Sequence, residues 1–431
     1  MGKAKKFTAA LTAALLCAGT LTSCSDTSYA LTAGDDKVNA GVYIYNVLSE
    51  MSYQMTMMYY QDGITKDYFD QKVDGKDFAD YLSDYALTAT KEYAAVVDKF
   101  NELGLELSDD DLKSVNDTVN STWESQGDFY ESEGISKESI KLAQKASKMR
   151  DQIFDYYYAE GGVEAVADDE IVKYIEDNYV RYKTITVAKS SSEDSSSQSS
   201  EDDTAKATRD EFLDKAEGVS FDDFDSIIDE YNAYVEAQKA DSSSAADSDS
   251  STASDDTSSV ADTDSSSAAS SDDTSSVVDS TVDSTELSDS SDSAADTDSS
   301  SADADSSSES DPYPNETMTN YGALEDSQKD TASGKLLTAV NKLDVDVASA
   351  YEDDTSYYII IRGDVTKRSQ EYATDNHKSV LQQMKSDDFQ SKITSWVDEL
   401  NITVNNKAIK RYTPKVVYDK QTEYYSKNKT S

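Results

Sequence analysis

Residues 241–311 are almost wholly Ser, Asp, Ala and Thr, with no Lys or Arg among them, and this tract restricts the fold more than any other feature of the chain. Ordering a backbone costs about 1–2 kcal/mol per residue. A segment with so little apolar surface and one sign of charge has nothing to offset that cost, so the tract is expected to be disordered. What precedes and follows it must build cores separately or share one. About 300 residues lie outside the polar tracts, enough for two or three modest domains. The formal charge of −47 argues against nucleic acid as a partner, because such a surface repels phosphate.

At the N-terminus, Lys3, Lys5 and Lys6 precede an apolar run over residues 7–18 that is too short to span a bilayer, and Leu21-Thr22-Ser23-Cys24 then follows. Small residues before a cysteine form a lipobox. Residues 1–23 are therefore expected to be a lipoprotein signal peptide with lipidation at Cys24, the alternative being an ordinary secretory signal with an incidental cysteine. Two acyl chains would suffice for stable anchoring to the outer face of the cell membrane. Residues 24–36 read as a polar tether. Cys17, the only other cysteine, lies inside the signal, so no disulfide is expected.

Residues 37–178 carry helical periodicity. A helix opening near Asn39 places Tyr45, Leu48, Met51, Met55 and Met58 on one stripe. A second repeats the pattern through Leu87, Ala94, Val97 and Phe100, with Gly104 placed for a left-handed cap. Ser108 caps a third, with acids in its first turn. A fourth carries Ile140, Met149 and Ile153 and ends at Gly161-Gly162, and Asp168 starts a fifth.

A strand follows in "YVRYKTITVAK", with Ile185 and Val187 on one face, and runs into a first polar tract at about residues 190–205. Two amphipathic helices come next, the second capped by Ser220 and buried through Phe224, Ile227, Ile228 and Tyr231, and then the long tract, about residues 240–315. Beyond it stand a short helix, a strand near residues 345–350, a turn and a strong strand over residues 357–361. Helical periodicity returns over residues 372–400, and "NITVNNKAIKRY" reads as two short strands about an Asn-Asn turn. Neither half of the β-containing region can bury a core alone, so the long tract is expected to be an insertion within one domain. Lengthening a loop from about 10 to about 70 residues adds only about 1.7 kcal/mol of closure entropy.

The stretches "VNAGVYIYNVLSEM", "ELGLELSDDDLKSV", "YESEGISKESIKLAQKASKMRDQIF", "DDEIVKYIEDNYVRYKTITV", "SFDDFDSI" and "LLTAVNKLDVDVASAYEDDTSYYIIIR", in this order after a lipobox, resemble the PrsA/SurA class of extracytoplasmic foldases. The resemblance implies an α+β chain: a helical chaperone lobe over residues 37–178, a parvulin-like antiparallel β/α domain over residues 179–366 interrupted by long disordered Ser/Asp-rich tracts, and a C-terminal helical segment with a small β end over residues 367–431.

In active parvulins the first strand carries a His before Ile-Leu-Val and the last strand a second His before Ile-Ile. The matching positions here hold Thr184 and Tyr358. The single histidine, His377, falls on a later helix, and no catalytic residue is assigned. Isomerising an X-Pro bond means lowering a barrier of about 18–20 kcal/mol without a covalent step. The resemblance therefore implies a foldase whose isomerase activity is negligible and whose remaining work is binding unfolded or nascent secreted proteins. Met55, Met58, Tyr59 and Tyr157 are the candidate client-binding residues, within the clusters Met57-Met58-Tyr59-Tyr60 and Tyr156-Tyr157-Tyr158.

No cofactor and no metal are expected. The acidic tracts lack the spacing of a dedicated calcium loop and read as solvated spacers. The H-E-x-x-H, G-x-S-x-G and phosphate-loop patterns are absent, which disfavours a hydrolase or metalloenzyme. The alternatives are a surface lipoprotein that docks one specific partner, and a residually active isomerase.

Overall fold

The computed structural model describes residues 28–189, 195–246 and 312–428. The signal segment, Cys24 and most of the long tract lie outside the described residues. The chain divides into two units: Met1–Ala167 with Leu381–Ser431, and Asp168–Val380.

The first unit begins with strands β1 (Tyr29–Ala33) and β2 (Asp36–Asn39) and helix α1 (Ala40–Asp62). The hairpin β3 (Lys72–Val73) and β4 (Lys76–Asp77) leads into α2 (Phe78–Leu103), α3 (Asp109–Glu133) and α4 (Lys137–Tyr158). The second unit contains α5 (Asp168–Asn178), β5 (Tyr179–Ala188), α6 (Ser195–Ala216), α7 (Asp225–Ala246), β6 (Thr317–Asn320), α8 (Asp326–Lys329), α9 (Ala332–Val340), β7 (Ala348–Glu352), β8 (Ser356–Gly363) and α10 (Ser369–Asp375). Helix α11 (His377–Glu399) leads back into the first unit, which ends with β9 (Ile402–Val404), α12 (Asn406–Arg411) and α13 (Pro414–Asn428). The chain is thus α+β with small antiparallel sheets.

Local chemistry sets the helix ends. The Asn39 side chain accepts from the Gly41 amide, Ser108 from Asp111 and Ser136 from Ser139, each satisfying a donor that the first turn leaves open. Gly104 and Gly134 close α2 and α3 in the left-handed conformation. The stripe on α1 then buries Tyr43, Ile44, Val47, Leu48 and Met51 against Phe78 and Leu82 of α2, Val115 and Phe129 of α3, Ile140 of α4 and Val417 of α13.

Three expectations need correction in this unit. The supposed tether holds β1, in which Ala30 and Leu31 are fully buried. Gly34, at positive φ, turns the chain into β2, and β1 also pairs with β9 through Leu31↔Val404 and Ala33↔Ile402. "NITVNNKAIKRY" forms one strand and then a helix, because the Asn405 amide donates to the Ala30 carbonyl and Ala408 turns inward as α12. Met58 belongs to the core, on the stripe that buries Met51.

In the second unit the strand order is β6-β5-β8-β7, antiparallel throughout. Residues 181–188 do pair with residues 356–363 across the long tract, from Arg181↔Gly363 to Ala188↔Ser356. One sheet face packs Ile185, Val187, Tyr357, Ile359 and Ile361 under Phe212 of α6, Ile228 of α7, and Phe221 and Phe224 of the segment between them. The other packs Val180, Tyr182 and Ile360 against Leu324, Leu337 and Val340.

Much of the first polar tract is helical, since α6 starts at Ser195 and extends upstream from the buried anchors Phe212 and Ala216. Helix α7 likewise runs on to Ala246. The strand expected at residues 345–350 begins at Ala348, because Asp346 adopts a left-handed φ of 60° that breaks the extended run.

Candidate functional site

Register places Thr184 opposite Ile360 and Tyr358 opposite Thr186 on the same two strands. Alternation along a strand puts all four side chains on one face, the one that carries Tyr182 and Ile360. The Thr184 hydroxyl is buried there without a hydrogen-bond partner among the described residues. The Tyr358 hydroxyl donates to Asp353 at 2.9 Å, and the Tyr351 ring lies 5.7 Å away. Burial and the hydrogen bond to Asp353 push the Tyr358 phenol up. Burial also works to raise Asp353, but hydrogen bonds from Thr355, Tyr358 and Ser356 outweigh it and hold the carboxyl below its ordinary range. Tyr358 therefore fastens the β7–β8 hairpin. A lone hydroxyl and a phenol held as a donor do not make an acid–base pair near neutral pH. His377 stands apart, with Nε2 3.6 Å from Asp168 Oδ1.

At the far edge of this sheet lies a polar cluster that sequence reasoning missed. The Glu316 carboxylate is enclosed between Arg181 at 2.6 Å and Arg368 at 2.9 Å, and the Arg368 guanidinium lies 3.3 Å from the centre of the Tyr313 ring. Lys183, also buried, donates to Asp225 at 2.7 Å and to the Phe221 carbonyl at 3.1 Å, and Asn315 donates to the same Asp225 at 3.1 Å. Tyr313, Asn315 and Glu316 stand at the downstream end of the long tract, so its exit is tied to β5, which precedes it. The signals that could have revealed this are Pro312 and Pro314 closing the Ser/Asp run and the alternation of "TMTN" after them. Each charge in the cluster is paired with one of opposite sign.

The helical unit presents a different surface. On α1, Tyr53, Tyr59 and Tyr60 are 49, 53 and 77 % exposed. Met57 is half-buried beside them. Spacings of three and four put Tyr53, Thr56, Met57 and Tyr60 on a stripe opposite the core-facing one. The Tyr59 and Tyr60 rings stand 5.2 Å apart in an edge-on arrangement.

Of the residues expected to bind clients, Tyr59 is therefore at the surface. Met55 is half-buried against the core, and Met58 lies inside it. Tyr157 stacks on Trp396 at 6.1 Å with the Lys392 ammonium 4.8 Å from its ring, so most of its ring is already engaged. Tyr53 was missed by sequence reasoning, although its place one turn before Met57 was legible. A shallow depression on α11 is lined by Asp387, Gln390, Ser391 and Thr394, and Gln390 is held there by Arg150 and Glu92. Among the described residues, no three His, Cys, Asp or Glu side chains converge as metal ligands would, and no helix is long and apolar enough to cross a membrane.

These elements define an α+β protein in which a helical unit is built from both ends of the chain and a split antiparallel sheet lies between them in sequence. No protein-family model matches the chain, and no curated protein does. Among solved structures it is similar to a foldase protein, PrsA, from Lactococcus lactis, at 11 % identity over 90 % of this chain and 99 % of that one, with a TM-score of 0.26. A superposition that loose does not establish a common fold.

Proposed function

We propose that this chain is a chaperone of the extracytoplasmic foldase type that binds unfolded exported proteins on the helical unit and has lost prolyl isomerase chemistry. The observation that carries the reading is the surface of α1 formed by exposed Tyr53, Tyr59 and Tyr60 around the half-buried Met57, set on a helix whose opposite face is locked into the core. Large amphipathic rings on a rigid support give contact area at low entropic cost, and methionine adapts to varied partners. The lost isomerase activity rests on Thr184 and Tyr358 at the positions where parvulin histidines are expected. Lipid attachment at Cys24 and a place on the outer face of the cell membrane follow from the lipobox, and the acidic tracts act as solvated spacers within a parvulin-like domain.

The mature chain should slow the aggregation of a reduced test protein at stoichiometric ratio. The triple variant Tyr53→Ser, Tyr59→Ser, Tyr60→Ser should lose that effect while keeping its melting temperature. No protection by the native chain at large excess would sink the reading. In a protease-coupled assay, X-Pro turnover should stay at the uncatalysed rate.

A further inference from the structure

We propose that the free edge of β7 receives extended, basic polypeptide segments by strand addition. This deepens the chaperone reading, on which it rests, by naming a class of segment and a second place for it. Strand β7 is the last in the order β6-β5-β8-β7 and, among the described residues, pairs only with β8. The Asp353 amide donates to the Ser356 carbonyl at the hairpin end. Bonded pairs alternate along an antiparallel ladder, so Tyr351 and Ser349 face β8, while Ala348, Ala350 and Glu352 turn their N–H and C=O groups outward. Among the described residues no backbone group pairs with those of Ala350 or Glu352.

Both residues are exposed, and Val345 and Val347, just upstream, are 43 and 49 % exposed. A strand with an open row of donors and acceptors beside exposed apolar side chains is a template for another chain.

Charge selects the occupant. Residues 343–356 contain the acids Asp344, Asp346, Glu352, Asp353 and Asp354 and no Lys or Arg. A second copy of β7 would bring like charges face to face, which opposes pairing. An extended segment carrying Lys or Arg meets complementary charge along the same edge, and the attraction is screened by salt.

The test uses the full mature chain and two labelled peptides of alternating Val and Thr, one bearing Lys at its flanks and the other Glu. The basic peptide should bind, more weakly as salt is raised, and should slow hydrogen exchange at the Ala350 and Glu352 amides. Ala350→Pro removes an outward donor at an edge position where proline is tolerated, and should weaken binding by about tenfold. Glu352→Lys leaves the backbone intact and should shift preference towards the acidic peptide, which keeps the test decisive if the proline variant folds poorly. Equal binding by both variants and the native chain, or no exchange protection on β7, overturns strand addition. Loss of aggregation suppression in the α1 tyrosine variant is read separately, so either idea can fail alone.

Discussion

Glu133 ends α3 with 0 % of its surface exposed and, among the described residues, neither carboxylate oxygen hydrogen-bonded. The groups set against it are Lys420 and Tyr425 of α13, and Tyr412 and Ile44 lie over the adjoining Gly134. Burial pushes its pKa from 4.5 up to about 7, and the Lys420 ammonium only partly opposes this. A carboxylate at a helix C-terminus also meets the negative end of the dipole. Between those two values the folded chain holds a proton that the unfolded chain has released, so stability falls as pH rises through this window and levels off above it. Glu133→Gln should remove that slope, gaining on the order of 2–3 kcal/mol relative to the native chain at pH 8 compared with pH 4. Denaturant melts of both proteins at the two pH values check this; parallel curves would mean that the carboxyl is solvated. Nothing in "FYESEGIS" marks Glu133 as buried, since an acid among acids and serines reads as surface.

Strand β1 shows how a short element escapes a sequence reading. Five residues, "YALTA", carry weak alternation, and their second partner, β9, stands some 370 positions further along the chain, with Leu31 facing Val404. The helices were legible because their caps and stripes are local: Asn39, Ser108, Ser136 and Gly104 announce ends, and the α1 stripe announces a buried face. That same stripe placed Met58 in the core, which weighs against its use as a client contact. If β1 is an integral strand, Leu31→Ala should cost about 2–4 kcal/mol, the usual range for emptying a fully buried leucine site. A true tether would show no change in thermal melting.

The sheet of the second unit has one strand before the long tract and three after it, and the exit of the tract is fastened by Glu316 to Arg181 and by Asn315 to the Asp225 that also holds Lys183. Covalent continuity through the tract should therefore be dispensable once the chain has folded. A protease site inserted between residues 260 and 300 and then cut should leave two fragments that co-elute in native buffer and part only in denaturant. Separation on cutting would show that the halves do not hold each other. Breaking one partner of an enclosed ion pair costs about 3–5 kcal/mol, which gives this seam real strength.

Helix ends, apolar stripes and the strands "YKTITV" and "YYIII" could be read from residue order alone, because hydrogen bonds to the fourth neighbour and strict side-chain alternation are short-range rules. The pairing of the two strands was also inferable, since neither fragment has enough apolar surface to stand alone. The closure of β1 on β9, the enclosure of Glu133 and the seam formed by Arg181, Lys183, Asp225, Asn315 and Glu316 were decided only by the tertiary structure. Each depends on which distant surfaces fit one another, and a charged side chain looks the same in sequence whether it meets water or a partner.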